Sequence, residues 1–335
     1  LENAVEMLSP ELRHVIVSVN PKAGAGPADA RVERLVTLLR QQNVEVAVFT
    51  NLNEVAAEAN RRFAAGHLRA LIAVGGDGTA AELVNRTAPG MPLTVFPAGN
   101  ENLLARYFAL GPTPEECCRT VVQGAVLRRD AGQANGRIFL IMIGCGFDAD
   151  VIRCLHSQRT GHVTSASYFN PIMASIRHYD YPELRVYWNE EDGVVGDGGQ
   201  SGHEAGKPGQ DKRDTGHPLE PISHGVRWLF AFNLPCYGAG LQIAPEADGA
   251  DGLLDVCTFR HGGLWHGLYY TAAVLTGTHH WLTDFAQRRA GRLRVTSDSN
   301  VPYQLDGDPG GFLPVEIEVL PKRLTLIVPQ EKAAT

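Results

Sequence analysis

No stretch of this 335-residue sequence gathers its 30 Lys and Arg into a polybasic run. Formal charge is −7, with 37 acids against those 30 bases. This argues against nucleic acid as the main partner and against strong electrostatic anchoring to a membrane. No apolar stretch reaches bilayer-spanning length. No signal-peptide pattern opens the chain, and its first residue is Leu1 rather than Met, which leaves the true start open. The six cysteines (Cys117, Cys118, Cys145, Cys154, Cys236 and Cys257) are scattered, without a C-x-x-C. A disulfide framework or a cysteine metal cluster is therefore not expected, and reduced thiols in a cytosolic protein are the simpler reading. Internal repeats are missing too. Apolar residues make up 44%, enough for a sizeable core, in a length that suits two domains.

The first third alternates strand and helix patterns. "HVIVSV" at His14–Val19 is a β-branched strand, and Ala28 to Gln41 carries Val32, Leu35, Val36 and Leu39 at helical spacing. "VEVAVF" from Val44 reads as a strand, and Asn53 can cap a helix running to about Ala65. The run Ala70–Val74 and "PLTVFP" at Pro92–Pro97 read as further strands, with helices from Thr79 and over Asn102–Phe108. Strands alternating with helices predict a parallel sheet covered on both faces.

The pattern changes near Gly132. Short strands now follow one another: "RIFLIMIG", "ELRVYW", "VRWLFAFN", "LLDVCTF", "RLRVTS", "PVEIEVL" and "LTLIVP". They predict an antiparallel sandwich or barrel, with helical stretches around Ser165–Arg177 and Leu264–Arg288. Residues 189–223 are rich in Gly, Asp and Lys and nearly free of apolar residues. Such a stretch cannot offset its ordering entropy and reads as a long flexible insertion.

Five stretches carry chemistry. "VNPKAGAG" follows the first strand, and Gly24 and Gly26 would let backbone approach a ligand; an ordinary loop is an equal reading. Neither a Walker loop nor G-x-G-x-x-G is present. "GGDGT", Gly75 to Thr79, sits between strand and helix, where free N–H groups converge on phosphate. Thr79 and Glu82 fit a capping box. Asp77 in that turn suits a cation, bound directly or through water, or a hydroxyl donor beside the phosphate. "FPAGNENLLARYF" repeats the strand–turn–helix device, with Asn100 and Asn102 as candidate caps and Arg106 as a phosphate clamp or surface residue. "APEADGADGLLDV" offers Asp248, Asp251 and Asp255 as hard oxygen ligands or as turn residues, without EF-hand spacing. In "QLDGDPGG", Asp-Gly reads first as a hairpin turn, and Asp306 and Asp308, flanking Gly307, could present a base to a cleft.

In order and spacing these stretches resemble the diacylglycerol kinase-like lipid kinases, relatives of sphingosine kinases and, more distantly, of NAD kinases. "NPKAG" resembles the family's first nucleotide loop, and "GGDGT" its signature. "GNENLLAR" is similar to G-T-x-N-x-x-A-R, and "GCGFDADVI" to its G-F-D-A segment. "DGLLDV" and "LDGDPGG" resemble the D-G-x-L-D and D-G-E endings. The resemblance covers nearly the whole chain.

It implies an α/β plus all-β fold. A three-layer α/β nucleotide-binding domain would span residues 12–132, with 321–335 returning to it. An antiparallel β-sandwich would span 133–320 and carry the 189–223 insertion, with ATP in the cleft between. Family roles fall on matching positions. Asn20, Pro21, Lys22, Ala23, Gly24, Thr50, Gly75, Gly76, Asp77, Gly78, Thr79, Ala80 and Ala81 would contact nucleotide, with Asn100 and Asn102 beside them. Asp248, Asp251 and the Leu253 carbonyl would hold Mg²⁺. Asp308 stands where the family has its proton-accepting glutamate, and Asp77 would align nucleotide and acceptor. The expected partner is a lipid at the membrane surface, reached by transient peripheral association from the cytoplasm; a homodimer is a further expectation. Two departures stand out: Asn100 replaces the family Thr, and Asp308 is one methylene short. They motivate a second reading, a kinase-like protein that binds nucleotide or lipid without turnover. The shared "GGDGT" motivates a third, a kinase for a soluble acceptor such as NAD. The helix around "LWHGLYYTAAVL" could take part in reaching the lipid, but is expected mainly to pack in the core.

Overall fold

The computed structural model describes residues 6–20, 28–157, 175, 178–188 and 223–333. The amino-terminal part runs β1 (Glu6–Met7), β2 (His14–Val19), α1 (Ala28–Gln41), β3 (Glu45–Phe49), α2 (Leu52–Ala64), β4 (Leu68–Gly75), α3 (Asp77–Arg86), β5 (Pro92–Pro97), α4 (Leu103–Tyr107) and α5 (Pro114–Gln123). β5, β4, β2 and β3 lie side by side, all parallel. All eight residues of β4 are buried, as a central strand covered on both faces requires. On one face Leu35 and Leu39 of α1 and Val121 of α5 pack against Val15, Val17, Ile72 and Val74. On the other, Val55 of α2, Leu83 of α3 and Leu104 of α4 meet Ile16, Leu71, Leu93 and Val95. This is the expected three-layer domain.

The rest of the chain comprises β6 (Ala125–Ala134), β7 (Arg137–Phe139), β8 (Met142–Cys145), α6 (Phe147–Ser157), β9 (Leu184–Trp188), β10 (Ser223–Val226), β11 (Trp228–Phe232), β12 (Leu254–Phe259), a helix over Leu264–Leu275, β13 (Phe285–Ala290), β14 (Arg292–Thr296), β15 (Pro302–Leu305), β16 (Asp308–Phe312) and β17 (Val315–Val328). One sheet has the order β13-β12-β11-β8-β15-β16, all antiparallel. Facing it are β9, β14 and the first half of β17, again antiparallel. Every second residue of these strands is buried between the layers: Leu184, Val186 and Trp188; Leu293 and Val295; Val315 and Ile317; Leu254 and Val256. The period of two defines the sandwich.

β17 joins the halves. "PVEIEVL" and "LTLIVP", read as separate strands, are one strand interrupted by a bulge between Leu320 and Leu324. Pro321 lies in that bulge, one of the few sheet positions a proline tolerates. The first half of β17 pairs with β14, and the second lies parallel to β5 through Thr325 and Leu326. β6 runs antiparallel along both halves. Buried Asp130 of β6 holds the bulge: its Oδ1 accepts Lys322 N–H at 2.7 Å and its Oδ2 accepts Gly252 N–H at 2.8 Å. Arg323 donates to the Val84 and Thr87 carbonyls at 2.6 and 2.8 Å, closing the carboxyl end of α3.

Other expectations shift. "RIFLIMIG" breaks into β7 and β8 at Leu140–Ile141, whose N–H groups are bonded by Asp306 instead of a strand. Asn51, not Asn53, caps α2; its side chain accepts the N–H groups of Asn53 and Glu54. The helix from Leu264 stops at Leu275, because Gly277 turns left-handed, and residues 285–290 join the sheet as β13. Most of the 165–177 stretch, and residues 189–222 of the insertion, lie outside the described residues; Ser223 opens β10.

Candidate active site

The carboxyl ends of parallel strands, where open α/β sheets bind ligands, bring together the first group of predicted residues. Asn20 follows β2, Thr50 follows β3, Gly75 ends β4 with Gly76–Gly78 after it, and Gly99–Asn102 follow β5. Pro21, Lys22, Ala23 and Gly24 lie outside the described residues. The two glycine turns touch backbone to backbone. A Cβ on Gly99 would stand 2.6 Å from Gly76 Cα and 3.0 Å from Gly76 N. Neither partner is a flexible side chain that could move aside. Gly99→Ala is therefore expected to force the turns apart and cost about 1–3 kcal/mol, the usual range for overpacking. A lowered urea midpoint together with weakened ATP affinity would verify this.

Asp77 ties the turns together. Its Oδ2 accepts the Leu103 N–H at 2.9 Å and its Oδ1 the Leu104 N–H at 2.8 Å. It thus caps α4 from another element. Burial raises its pKa, those two backbone N–H groups oppose the rise, and nearby Glu101 adds to it. Asn102 occupies the cap position of α4 but does not cap it. With φ at 48° it folds back, accepting the Gly99 N–H at 3.0 Å and donating to the Gly99 carbonyl at 2.7 Å. Asn100 and Arg106 are exposed.

The capping box does not form. α3 starts at Asp77, two residues earlier than the pattern suggested, with Gly76 at its cap. Thr79 lies inside the helix, where its hydroxyl accepts from Asn20 Nδ2 at 3.1 Å. Glu82 pairs with Arg86 at 3.0 Å instead. Gly75 is required here, since a Cβ would meet Thr79 Oγ1 at 2.3 Å. Ala80 and Ala81 are buried in the main core, so their methyl groups pack there.

The sandwich delivers the next acid. Leu305 and Asp308 pair across a two-residue turn, Asp306-Gly307, with φ of 51° and 84°. Both positive values suit the tight hairpin that Asp-Gly signals. Asp308 opens β16 and approaches α3: a Cβ on Gly78 would stand 3.0 Å from Asp308 Oδ2. The absence of that Cβ leaves room for the carboxylate beside the helix amino terminus. On its other side, His156 Nε2 of α6 lies 3.4 Å from Asp308 Oδ1.

His156 was not singled out from sequence, nor was the network behind the hairpin. Asp148 Oδ2 accepts from Gln304 Nε2 at 2.9 Å, and Gln304 Oε1 accepts the Gly307 N–H at 2.8 Å. Tyr237 donates its hydroxyl to Asp148 Oδ1, and burial raises the Asp148 pKa. The "GFDA" resemblance marked Asp148 without giving it a partner.

Asp306 faces inward rather than to the cleft. It accepts three backbone N–H groups, from Leu140 at 2.7 Å, Ile141 at 2.9 Å and Met142 at 3.0 Å. Burial pushes its carboxyl up to about 6; the three donors pull the other way, and Asp77 adds repulsion. The folded state thus holds a proton that the unfolded chain releases near pH ~4. This contribution to stability is full below about pH 4 and is lost as pH rises through about 6. Asp306→Asn removes the titration. The stability of the parent relative to Asp306→Asn should fall by on the order of 2–3 kcal/mol between about pH 4 and 6, then level off. Urea unfolding of both proteins across that range checks it. The acceptor that Asn loses adds an offset independent of pH.

The implied Mg²⁺ site does not fit the donors as arranged. Asp251 Oδ2 is ion-paired with Arg289, and its Oδ1 accepts the Leu253 N–H at 2.9 Å. Asp248 is exposed. Asp255 is buried and accepts from Gln287 at 3.0 Å. The Arg289 guanidinium thus takes up the Asp251 carboxylate that the Mg²⁺ reading needs. Among the described residues no group of three His, Cys, Asp or Glu could hold a metal.

Glycine turns at parallel strand ends thus face an acid from the β-sandwich across two domains. Residues 14–134 match the model of the diacylglycerol kinase catalytic domain, and residues 141–328 that of the YegS C-terminal NAD kinase beta sandwich-like domain. The chain belongs to the diacylglycerol kinase-like family of lipid kinases. A diacylglycerol kinase of Bacillus subtilis (strain 168) is 24% identical over 330 residues, covering 96% of this chain and 98% of that protein. One from Mycobacterium tuberculosis (strain H37Rv) is 26% identical over 331 residues, 96% of each. The crystal structure of a diacylglycerol kinase from Bacillus anthracis str. Sterne shares the fold, with a TM-score of 0.65 at 20% identity over 95% of this chain and 97% of that one.

Proposed function

We propose that the protein transfers the γ-phosphoryl group of ATP, supplied as its Mg²⁺ complex, to a lipid primary hydroxyl. Diacylglycerol is the leading acceptor and phosphatidic acid the product. One juxtaposition carries the reading: the Asp308 carboxylate stands beside Gly78 at the amino terminus of α3. Backbone N–H groups there can bind phosphate oxygens while an acid close by takes a hydroxyl proton. In the reaction the lipid oxygen attacks the γ-phosphorus and its proton passes to Asp308. The bond to the β-phosphate oxygen breaks, and ADP leaves. The chain's own contribution is positioning and electrostatics: the touching glycine turns fix the phosphates, and the hairpin network fixes Asp308. Names of relatives that phosphorylate diacylglycerol support the acceptor class. Transient association with a membrane surface follows, because the acceptor resides there.

Transfer of label from radiolabelled ATP to a panel of lipid vesicles, including diacylglycerol and sphingosine, tests the reading, with NAD as a soluble control. Labelled phosphatidic acid is the expected product. ATP binding by calorimetry with no transfer to any lipid would sink it and favour a protein that binds without turnover. Formation of NADP would move the acceptor to the soluble class.

A further inference from the structure

We infer that the Leu264–Leu275 helix, together with Trp281, is the surface by which this chain inserts into an anionic lipid bilayer; the choice of a bilayer rests on the lipid-kinase reading. The helix does not pack as a core helix. Tyr270, Ala273 and Val274 face inward, while Trp265, Leu268, Tyr269 and Leu275 line the opposite side. Trp265 is 79% exposed, Leu275 68% and Trp281, in the short turn His279–Trp281 that follows the helix, 82%. A contiguous apolar face of this kind marks an interaction site. Its residues are aromatic and aliphatic, the types that settle at headgroup depth.

Charge points to the same occupant. In a chain with 37 acids, residues 256–283 contain none. The same run carries Arg260 and the exposed histidines His261, His266 and His280. The next acid, Asp284, accepts the Tyr270 hydroxyl instead of meeting solvent freely. A net-acidic chain that clears carboxylates from one apolar face can lay that face on anionic headgroups without repulsion. Among the described residues no helix is long and apolar enough to cross a membrane. Lying in the interface is the geometry left to a helix of this length.

The face also connects to the site. Tyr270 meets Trp228 edge-on with ring centroids 6.3 Å apart, and Trp228 lies 5.1 Å from Phe147. Phe147 begins α6, the helix that carries Asp148 and His156. Packed rings therefore run from the proposed lipid-facing helix to the element beside Asp308.

Two of the chain's four tryptophans, Trp265 and Trp281, are exposed in this segment, so fluorescence reads insertion directly. The full chain, without ATP, is titrated with vesicles of brominated phosphatidylcholine and phosphatidylglycerol in equal parts. Quenching of tryptophan emission and co-sedimentation are expected. Trp265→Ser/Trp281→Ser should keep its thermal midpoint, because both side chains are exposed, and lose vesicle affinity by about tenfold or more. Leu268→Ser/Leu275→Ser should lose affinity likewise and keep quenchable tryptophans. Absence of vesicle binding by the parent chain, or binding by both variants within about twofold of the parent, overturns the inference. So does a variant that changes oligomeric state with vesicle binding intact, which assigns the face to a second copy. Vesicle binding without lipid phosphorylation leaves this inference standing and removes the kinase reading. Phosphorylation of detergent-dispersed diacylglycerol without vesicle binding does the reverse.

Discussion

Asp308→Asn is expected to lower phosphoryl transfer by about 10³-fold or more, with ATP affinity changed by less than about twofold. The amide keeps the size of the carboxylate and can still donate to His156 or accept from it, so the hairpin should fold as before. It cannot take a proton. The effect belongs in kcat, because the missing interaction arises only as the acceptor oxygen attacks. Asp308→Glu separates chemistry from reach. Gly78 has no Cβ, and the carboxylate lies 3.0 Å from the place where one would sit. A longer side chain must slide along the helix amino terminus, and a displacement of ~1 Å can change rate by about 100-fold. If the shorter acid is what limits the enzyme, Glu should hold or raise kcat. Steady-state rates with diacylglycerol in mixed micelles, beside calorimetric ATP affinities, measure both variants. Equal loss of ATP affinity in Asp308→Asn would show that the carboxylate holds the turn instead of accepting a proton.

Much of this site was legible because its signals are local. Gly75-Gly76 and Gly99 announce turns that need close backbone approach, and Asp306-Gly307 announces a tight hairpin. The apolar period of α1 gave its boundaries as observed, Ala28 to Gln41. The missing parts depend on partners far along the chain. The N–H groups that Asp77 binds are 26 and 27 residues away, and Asp130 reaches Lys322 across 192. No spacing rule joins such pairs. β6 and β13 escaped because "AVLRRDAGQA" and "FAQRRA" are too polar for the alternation that marks half-buried strands. The "LWHGLYYTAAVL" helix misled in the opposite sense. A helix apolar on all sides is usually buried, yet only one side of this one reaches Trp228 and Phe259.

Asp77→Ala is expected to destabilise the fold by about 2–4 kcal/mol and to weaken ATP binding at the same time. Both carboxylate oxygens are used by backbone N–H groups of α4. Deleting them leaves two partly buried donors without their acceptor, and charge-assisted bonds of this kind are the stronger ones. The desolvation that raises the Asp77 pKa lowers the net value of the carboxylate, so the loss should fall short of two full charge-assisted bonds. Loss of the cap also frees the Asn102 turn from the Gly76 turn, and ATP affinity should fall with it. Asp77→Asn keeps one acceptor and should fall between parent and Ala in urea midpoint. A second role remains open to the same residue, since each oxygen has a further lone pair for water or a hydroxyl. The two roles separate cleanly. If capping is the whole role, kcat at saturating ATP should track the stability loss and stay within about tenfold of the parent in Asp77→Asn. If Asp77 also aligns the reacting groups through water, Asp77→Asn should lose kcat by far more than its urea midpoint accounts for. An acid in the middle of a glycine turn is thus explained first by the helix it caps, and by chemistry only to the extent that the loss of kcat exceeds that explanation.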